Sequence, residues 1–335
     1  MKIAINGFGR IGRAVAKVAT ERGIDIVAIN DLADAKTLAH LLKYDSTYGK
    51  FPLKVEAKEN AIVVDGKEIK VFAERNISAL PWAKLGVDVA IESTGIFRFA
   101  RSEKGGYLDH IDAGAKRVIL TVPAKDVIDQ TIVLGVNSDT LDVAKLSFSN
   151  ASCTTNCLAP VAKIIEDNYG IEKAFMTTIH AYTSDQVLID RPHSDLRRAR
   201  AAGRSIIPTT TGATIAVEKV IPSLKGKLDG CSMRVPVITG SLVDFTVKLK
   251  KGTTVEKINQ AVKKAAEGSL QGILEYTKDK IVSVDIIQNT HSCIFDADST
   301  KMIGDDFAKL IIWYDNEWGY SNRVVELAEK IGKSL

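Results

Sequence analysis

The sequence predicts an α/β protein: a doubly wound parallel sheet through about residue 151, then an α+β domain on a large mixed or antiparallel sheet. Three features point there. Short apolar runs alternate with helical patterns up to Ala151, the rhythm of βαβ units. The first run meets the first helix at Gly7, Gly9 and Gly12, in the strand–turn–helix context of a Rossmann fold. Beyond Cys153 the strand-like runs lengthen and helices become sparse.

Taken in chain order, Lys2–Asn6 reads as a buried strand, and the helix opened by the glycine turn runs to about Arg22. Asp25–Asn30 reads as the second strand and Ala35–Leu42 as the second helix. A β-rich insert follows from Leu53 to Phe72, in which Ala61–Val64 and Ile69–Phe72 flank Asp65-Gly66, a hairpin signal. Asp88–Glu92 and Arg117–Thr121 read as short strands, separated by a helical stretch from Ser102 to Ala113. After Cys153 a helical pattern covers Leu158–Asn168. Strand-like runs then occupy Ala174–His180, Cys231–Ile238, Ser241–Lys250 and Leu310–Tyr314, with an amphipathic helix over Thr254–Ala266. Ser321–Lys333 reads as a last helix, which the pattern alone assigns to neither domain.

A length of 335 residues suits two domains. The net charge of +4 is small for that length and calls for no polyanionic partner. With no aromatic-flanked basic stripe, nucleic-acid binding is at most a secondary role. Four cysteines, at 153, 157, 231 and 293, are too scattered for a disulfide framework. Cys153 and Cys157 lack the second paired spacing of a metal site, so no metal is expected. No leader pattern and no membrane-length apolar run is read, which points to a cytoplasmic protein without membrane partners.

The glycine turn has a specific chemistry. Gly7 permits a tight turn, Gly9 lets backbone approach a pyrophosphate, and Gly12 allows close helix–strand packing, with Arg10 and Ile11 between them. The diphosphate would rest on the helix N-terminus. Asp31 ends the second strand, where a carboxylate accepts from a ribose 2′-OH and repels a 2′-phosphate; NAD is favoured over NADP. The plainer alternative is a tight turn with Asp31 as a helix cap.

The segment Ser149–Cys157 places a thiol among small hydroxyl and amide residues at the start of a helix. Unpaired N–H groups and the positive end of the helix dipole stabilise a thiolate, so Cys153 is expected to have a lowered pKa and to act as nucleophile. His180, ending an apolar strand, is the candidate base and ion-pair partner. Arginines from Arg197 to Arg204 stand beside the hydroxyl- and glycine-rich turn Ser205–Gly212, a pattern suited to phosphate; a solvated basic face is the alternative. Arg234 is a lone cation among apolar neighbours and needs an anionic partner.

Ile5–Arg13, Ala151–Pro160, His180-Ala-Tyr-Thr183, Ser205–Pro208, Leu224–Leu228, Arg234-Val-Pro236 and Trp313–Arg323 together resemble phosphorylating glyceraldehyde-3-phosphate dehydrogenases over essentially the whole chain. The resemblance implies a Rossmann NAD-binding domain of residues 1–151 closed by a C-terminal helix over 317–335, a catalytic domain of 152–316, and a homotetramer. It implies Cys153 as nucleophile toward glyceraldehyde 3-phosphate, His180 as its base, and release of a thioester by inorganic phosphate. Thr183 and Arg197 would hold the substrate's phosphate, and Ser152, Thr154, Thr211 and Gly212 the inorganic phosphate, with Arg234 shared. Asn316 would fix the nicotinamide carboxamide, Thr94 and Thr121 would line the cofactor pocket, and Arg75 falls in the loop near the adenine. Arg191 stands where many NAD-specific members carry an apolar residue near a neighbouring subunit's adenosine; an arginine there can tolerate a 2′-phosphate. Erythrose-4-phosphate dehydrogenase is the alternative, and His180–Thr183 with the phosphate-loop threonines fits it less well.

Overall fold

Runs of small and β-branched apolar residues build two sheets, each the core of its own unit, in a computed structural model that describes residues 1–335. One unit comprises Met1–Ile132, Asp139–Ala151 and Ser321–Leu335; the other comprises Val133–Ser138 and Ser152–Tyr320. No helix is long and apolar enough to cross a membrane.

The strands of the first unit are β1 (Lys2–Asn6), β2 (Asp25–Asn30), β3 (Tyr44–Asp45), β4 (Gly49–Lys50), β5 (Val55–Lys58), β6 (Ala61–Val64), β7 (Lys67–Phe72), β8 (Val89–Glu92), β9 (Arg117–Leu120), β10 (Gln130–Thr131) and β11 (Ser147–Ser149). Its main sheet runs β10-β11-β9-β8-β1-β2-β7-β6-β5. Pairing is parallel from β10 to β7 and antiparallel through β7, β6 and β5. The order β7-β2-β1-β8-β9-β11 is that of a doubly wound dinucleotide fold, and it reverses between β1 and β8. β8 is buried along its whole length, as a parallel strand covered on both faces must be. The β6–β7 hairpin turns on Asp65 (φ +48) and Gly66 (φ +81), both left-handed as its two-residue turn requires.

Helices α1 (Arg10–Glu21), α2 (Ala35–Lys43), α3 (Trp82–Leu85) and α4 (Asp109–Asp112) belong to this unit. The last corrects the expectation of a helix over Ser102–Ala113. Gly105 sits at φ +93, and a Cβ on Gly106 would lie 2.2 Å from the Ala100 carbonyl, so the chain folds tightly on itself there instead of coiling.

In the second unit α5 (Cys153–Tyr169), α6 (Ala213–Val220) and α7 (Val255–Ala266) accompany β12 (Ile171–Ala181), β13 (Ile207–Thr209), β14 (Leu228–Val235), β15 (Ser241–Leu249), β16 (Leu274–Thr277), β17 (Cys293–Ile303) and β18 (Phe307–Tyr314). The sheet order is β13-β14-β12-β15-β18-β17-β16. β12 runs parallel to β14 and β16 parallel to β17, and the other pairs are antiparallel, so the sheet is mixed. α5 packs on β15, β17 and β18 through buried Cys157, Leu158, Val161 and Ile165. Two of the boundaries that differ from the sequence reading have a local cause. α5 starts at Cys153, five residues before the apolar pattern, because Ser152 caps it. β14 ends at Val235 because Pro236 has no N–H to extend the ladder. The final helix, α8 (Trp318–Gly332), crosses the unit boundary at Ser321; beyond that point Arg22 ties it to Glu326 and Glu329 at 2.7 and 3.0 Å.

Candidate active site

Two sites emerge, one in each unit. In the first, the ends of β1 and β2 and the turn after β8 enclose a cleft of about 490 Å³ lined by Asn6, Gly7, Gly9, Asp31, Arg75 and Thr94, among others. Its residues fit a dinucleotide. Gly7 adopts φ +88 and donates its N–H to the Asn30 carbonyl at 2.8 Å. A Cβ on Gly12 would sit 2.1 Å from the Gly7 carbonyl, whereas a Cβ on Gly9 would meet nothing within 4 Å, leaving room above the turn. Gly9 caps α1 without a side-chain bond, so the first turn of the helix, at Ile11, turns backbone N–H toward an anion. Asp31 accepts from the Phe8 N–H at 2.7 Å and the Ala33 N–H at 3.1 Å, which fixes its carboxylate on the cleft wall.

Two of the expected residues have side chains engaged within the protein. Arg10 bonds Asp45 at 2.8 Å; burial pushes Asp45 up, but Arg10 and the Thr47 and Tyr48 amides outweigh it and hold the carboxyl at about 2. Thr121 is buried, its hydroxyl donating to the Glu92 carbonyl at 3.2 Å.

The second site is built on α5. Ala151 precedes it at φ +56, a left-handed turn that costs a non-glycine residue about 1–3 kcal/mol and swings the chain into the helix. Ser152 Oγ accepts from the Thr155 N–H at 3.1 Å, and Cys153 becomes the first helical residue. The β12–β14 register sets His180 opposite Arg234. As a result Cys153 Sγ lies 3.5 Å from His180 Nε2, while the Arg234 guanidinium approaches His180 Nδ1 at 2.7 Å and the Ala181 carbonyl at 3.1 Å. His180 Nδ1 lies 2.6 Å from the same carbonyl. Nδ1 thus stands between an obligate donor, Arg234, and an acceptor, the Ala181 carbonyl; with its proton given to the carbonyl, the Nε2 lone pair faces sulfur, as a base requires.

Electrostatics here correct one expectation. Burial, and secondly the charge of Arg234, push His180 down to about 3. Burial likewise pushes the Cys153 thiol up, more than Arg234 and the N–H groups of the helix start pull it down. Burial thus opposes the charged form of both partners, where the sequence suggests a lowered thiol pKa, and the Arg234 charge draws the thiol the other way. Tyr314 completes the cluster and was not singled out from sequence. Its hydroxyl bridges Thr154 at 2.9 Å and Thr178 at 2.8 Å, and its ring stands edge-on to His180 at 5.9 Å. Its sequence signals were its place at the end of an apolar strand, two residues before Asn316, and within the stretch Trp313–Arg323 that carries the resemblance.

The remaining candidates differ in how committed they are. Arg198 is tied to Asp185 and Asp195, and Arg200 to Asp190, while the Arg197 guanidinium is exposed and takes no carboxylate. Thr183 opens a turn closed by Gln186 N–H at 2.9 Å. Thr211 Oγ1 accepts from the Ala213 N–H at 3.1 Å, and Gly212 caps α6 with no side-chain bond. Arg234 keeps a buried, unpartnered Nε. Asn316 Oδ1 accepts from Ser241 and Thr239 at 2.8 and 3.3 Å, which turns its amide N–H₂ into the available donor.

Comparison with known proteins places these sites in a family. Residues 1–100 match the model of the glyceraldehyde 3-phosphate dehydrogenase NAD binding domain, and residues 152–316 match that of the C-terminal domain. A glyceraldehyde-3-phosphate dehydrogenase of Borreliella burgdorferi is 64% identical, covering 99% of this chain and 100% of its own. Glyceraldehyde-3-phosphate dehydrogenase 2 of Streptomyces avermitilis and the Mycobacterium tuberculosis protein are each 54% identical, covering 100% of this chain and 99% of theirs.

Proposed function

The chain belongs to the glyceraldehyde-3-phosphate dehydrogenase family, and on that footing we propose that it oxidises D-glyceraldehyde 3-phosphate to 1,3-bisphosphoglycerate with NAD and inorganic phosphate, in glycolysis. The 3.5 Å approach of Cys153 Sγ to His180 Nε2 at a helix start supports this reading above any other feature. Cys153 adds to the aldehyde carbon, and its proton passes through His180 Nε2 to the carbonyl oxygen, giving a hemithioacetal. N–H groups at the start of α5 stabilise the oxygen as it gains charge. His180 then withdraws the hydroxyl proton as hydride leaves, and a thioester remains on Cys153. Bound NAD supplies the hydride acceptor. Inorganic phosphate attacks the thioester carbon, the C–S bond breaks, and the thiolate recovers a proton from His180.

Anion sites follow the same reading. Thr183 and the free Arg197 guanidinium hold the substrate phosphate; Ser152, Thr154, Thr211 and Gly212 hold inorganic phosphate; Arg234 serves both. Asn316 donates to the nicotinamide carboxamide, and Asp31 takes the ribose hydroxyls. The exposed Leu188, Ile189, Leu196 and Ile206 are consistent with a homotetramer, and the glycolytic role with a cytoplasmic setting. The test is NADH formation from glyceraldehyde 3-phosphate and NAD, with and without phosphate, beside erythrose 4-phosphate. Phosphate-dependent turnover preferring glyceraldehyde 3-phosphate is expected. Better turnover of erythrose 4-phosphate, or indifference to phosphate, would overturn the assignment.

A further inference from the structure

Beneath the dinucleotide cleft runs a directed line of hydrogen bonds that no step of the proposed reaction uses. The Trp82 indole N–H, which can only donate, reaches His110 Nδ1 at 3.0 Å. The proton of that imidazole therefore sits on Nε2, which donates to Glu92 Oε2 at 3.0 Å. From the opposite side the Glu74 N–H donates to Asn30 Oδ1 at 2.8 Å, Asn30 Nδ2 to Asn6 Oδ1 at 2.7 Å, and Asn6 Nδ2 to the same Glu92 Oε2 at 2.6 Å. Glu92 Oε1 accepts both the N–H of Thr94, at 2.9 Å, and its hydroxyl, at 2.5 Å.

The ends of the line fix the sense of every bond, because an indole cannot accept and a carboxylate cannot donate. Trp82 and His110 are fully buried and Glu92 is 1% exposed, so no water substitutes for a missing partner. Yet the line surfaces in the cleft, whose walls include Asn6, Asn30, Glu74 and Thr94. The Thr94 hydroxyl gives its proton to Glu92 and accepts from the Ile96 N–H at 3.1 Å. Its contribution is thus the shape of the turn Ser93–Phe97, not a donor to ligand.

We infer that Glu92 is a positioning residue for NAD, held in place by a His110 that Trp82 locks as the Nε2–H form. This rests on the dinucleotide reading of the cleft. In Glu92→Gln one orientation of the new amide sets its NH₂ against two donors, Asn6 and His110, and the other sets it against the Thr94 N–H. Trp82 forbids His110 to relieve the clash by moving its proton. Adding Trp82→Phe frees His110 to carry the proton on Nδ1 and accept from the amide at Nε2.

The experiment is calorimetric titration of the full chain with NAD, with iodoacetamide alkylation of Cys153 in the absence of NAD as control. Glu92→Gln is expected to bind about ten-fold more weakly, the scale of one buried polar mismatch. Glu92→Gln with Trp82→Phe should bind more tightly than Glu92→Gln alone. Thr94→Val should weaken binding and Thr94→Ser restore it, which keeps the test alive if the Glu92 variants fold poorly. Alkylation rates should match the wild type throughout. Wild-type affinity in Glu92→Gln, no recovery in the double variant, or binding and alkylation failing together would overturn the inference. A wild-type chain that does not bind NAD would instead refute the dinucleotide reading itself.

Discussion

Replacing Arg234 with Gln should raise the pKa of His180 without returning it to the ordinary 6.5. His180 stands at about 3, and burial is the larger cause, the guanidinium 2.7 Å away the second. The distance from 6.5 to about 3 disfavours the folded imidazolium by about 5 kcal/mol. Removing the guanidinium lifts its own share, and burial keeps the rest. The sign of the stability effect follows from the lowered value. Below pH 6.5 the unfolded chain takes up a proton that the folded chain refuses until near pH 3, so stability present above 6.5 drains as pH falls through that window. Between pH 6.5 and about 5 the loss from this group is about 2 kcal/mol. Asp45, held at about 2, does not enter in that range. Urea unfolding of wild type, Arg234→Gln and His180→Asn at about pH 7 and 5, with a ring-NMR titration of His180, measures the effect. Wild type should lose about 2 kcal/mol more than His180→Asn, and Arg234→Gln an intermediate amount. A His180 ring titrating near its ordinary value in wild type, or equal acid losses in all three, would refute the reasoning. The same logic has a functional corollary: an anion drawn to Arg234 offsets its charge and raises the affinity of His180 for the proton it must accept.

Gly12→Ala puts a Cβ 2.1 Å from the Gly7 carbonyl, a backbone clash expected to cost about 1–3 kcal/mol and to weaken NAD binding, both readable by thermal unfolding with and without NAD. Tyr314→Phe deprives Thr154 of its partner while Thr178 keeps the Leu242 carbonyl; about 1 kcal/mol of stability should be lost, and the KM for inorganic phosphate should rise in steady-state assays. Asp31→Gly removes the carboxylate that opposes a 2′-phosphate, so the ratio of kcat/KM for NAD over NADP should fall by about ten-fold or more. Arg191→Leu in the wild-type background should move that ratio the other way.

The dinucleotide fold was legible because geometry demands its glycines. Gly7 needs a positive φ and Gly12 has a carbonyl where any side chain would stand, so the pattern in the letters is the pattern of the turn. Asp65-Gly66 announced the β6–β7 hairpin for the same reason. Local signals failed where the deciding contact was distant. Ser102–Ala113 has helical composition, yet its backbone packs on Ala100; β17 hides Asp296 behind bonds from Ser299 and Trp313, so its run does not read as apolar. At the thiol, residue types and helix start were visible in the sequence. The state of the pair was not, because the burial of His180 and the approach of Arg234 depend on a register between strands about fifty residues apart. Tyr314 escaped notice on the same ground, since Thr154 and Thr178 reach it only through the folded sheet.

Covalent trapping decides whether Cys153 carries the reaction. Protein mixed with glyceraldehyde 3-phosphate and NAD, without phosphate, should show an acyl adduct on the Cys153 peptide by mass spectrometry, with NADH formed in equal amount. Added phosphate should discharge it, and Cys153→Ser should show neither adduct nor phosphorylating turnover. An adduct on another residue, or NADH released with Cys153 unmodified, would contradict the mechanism.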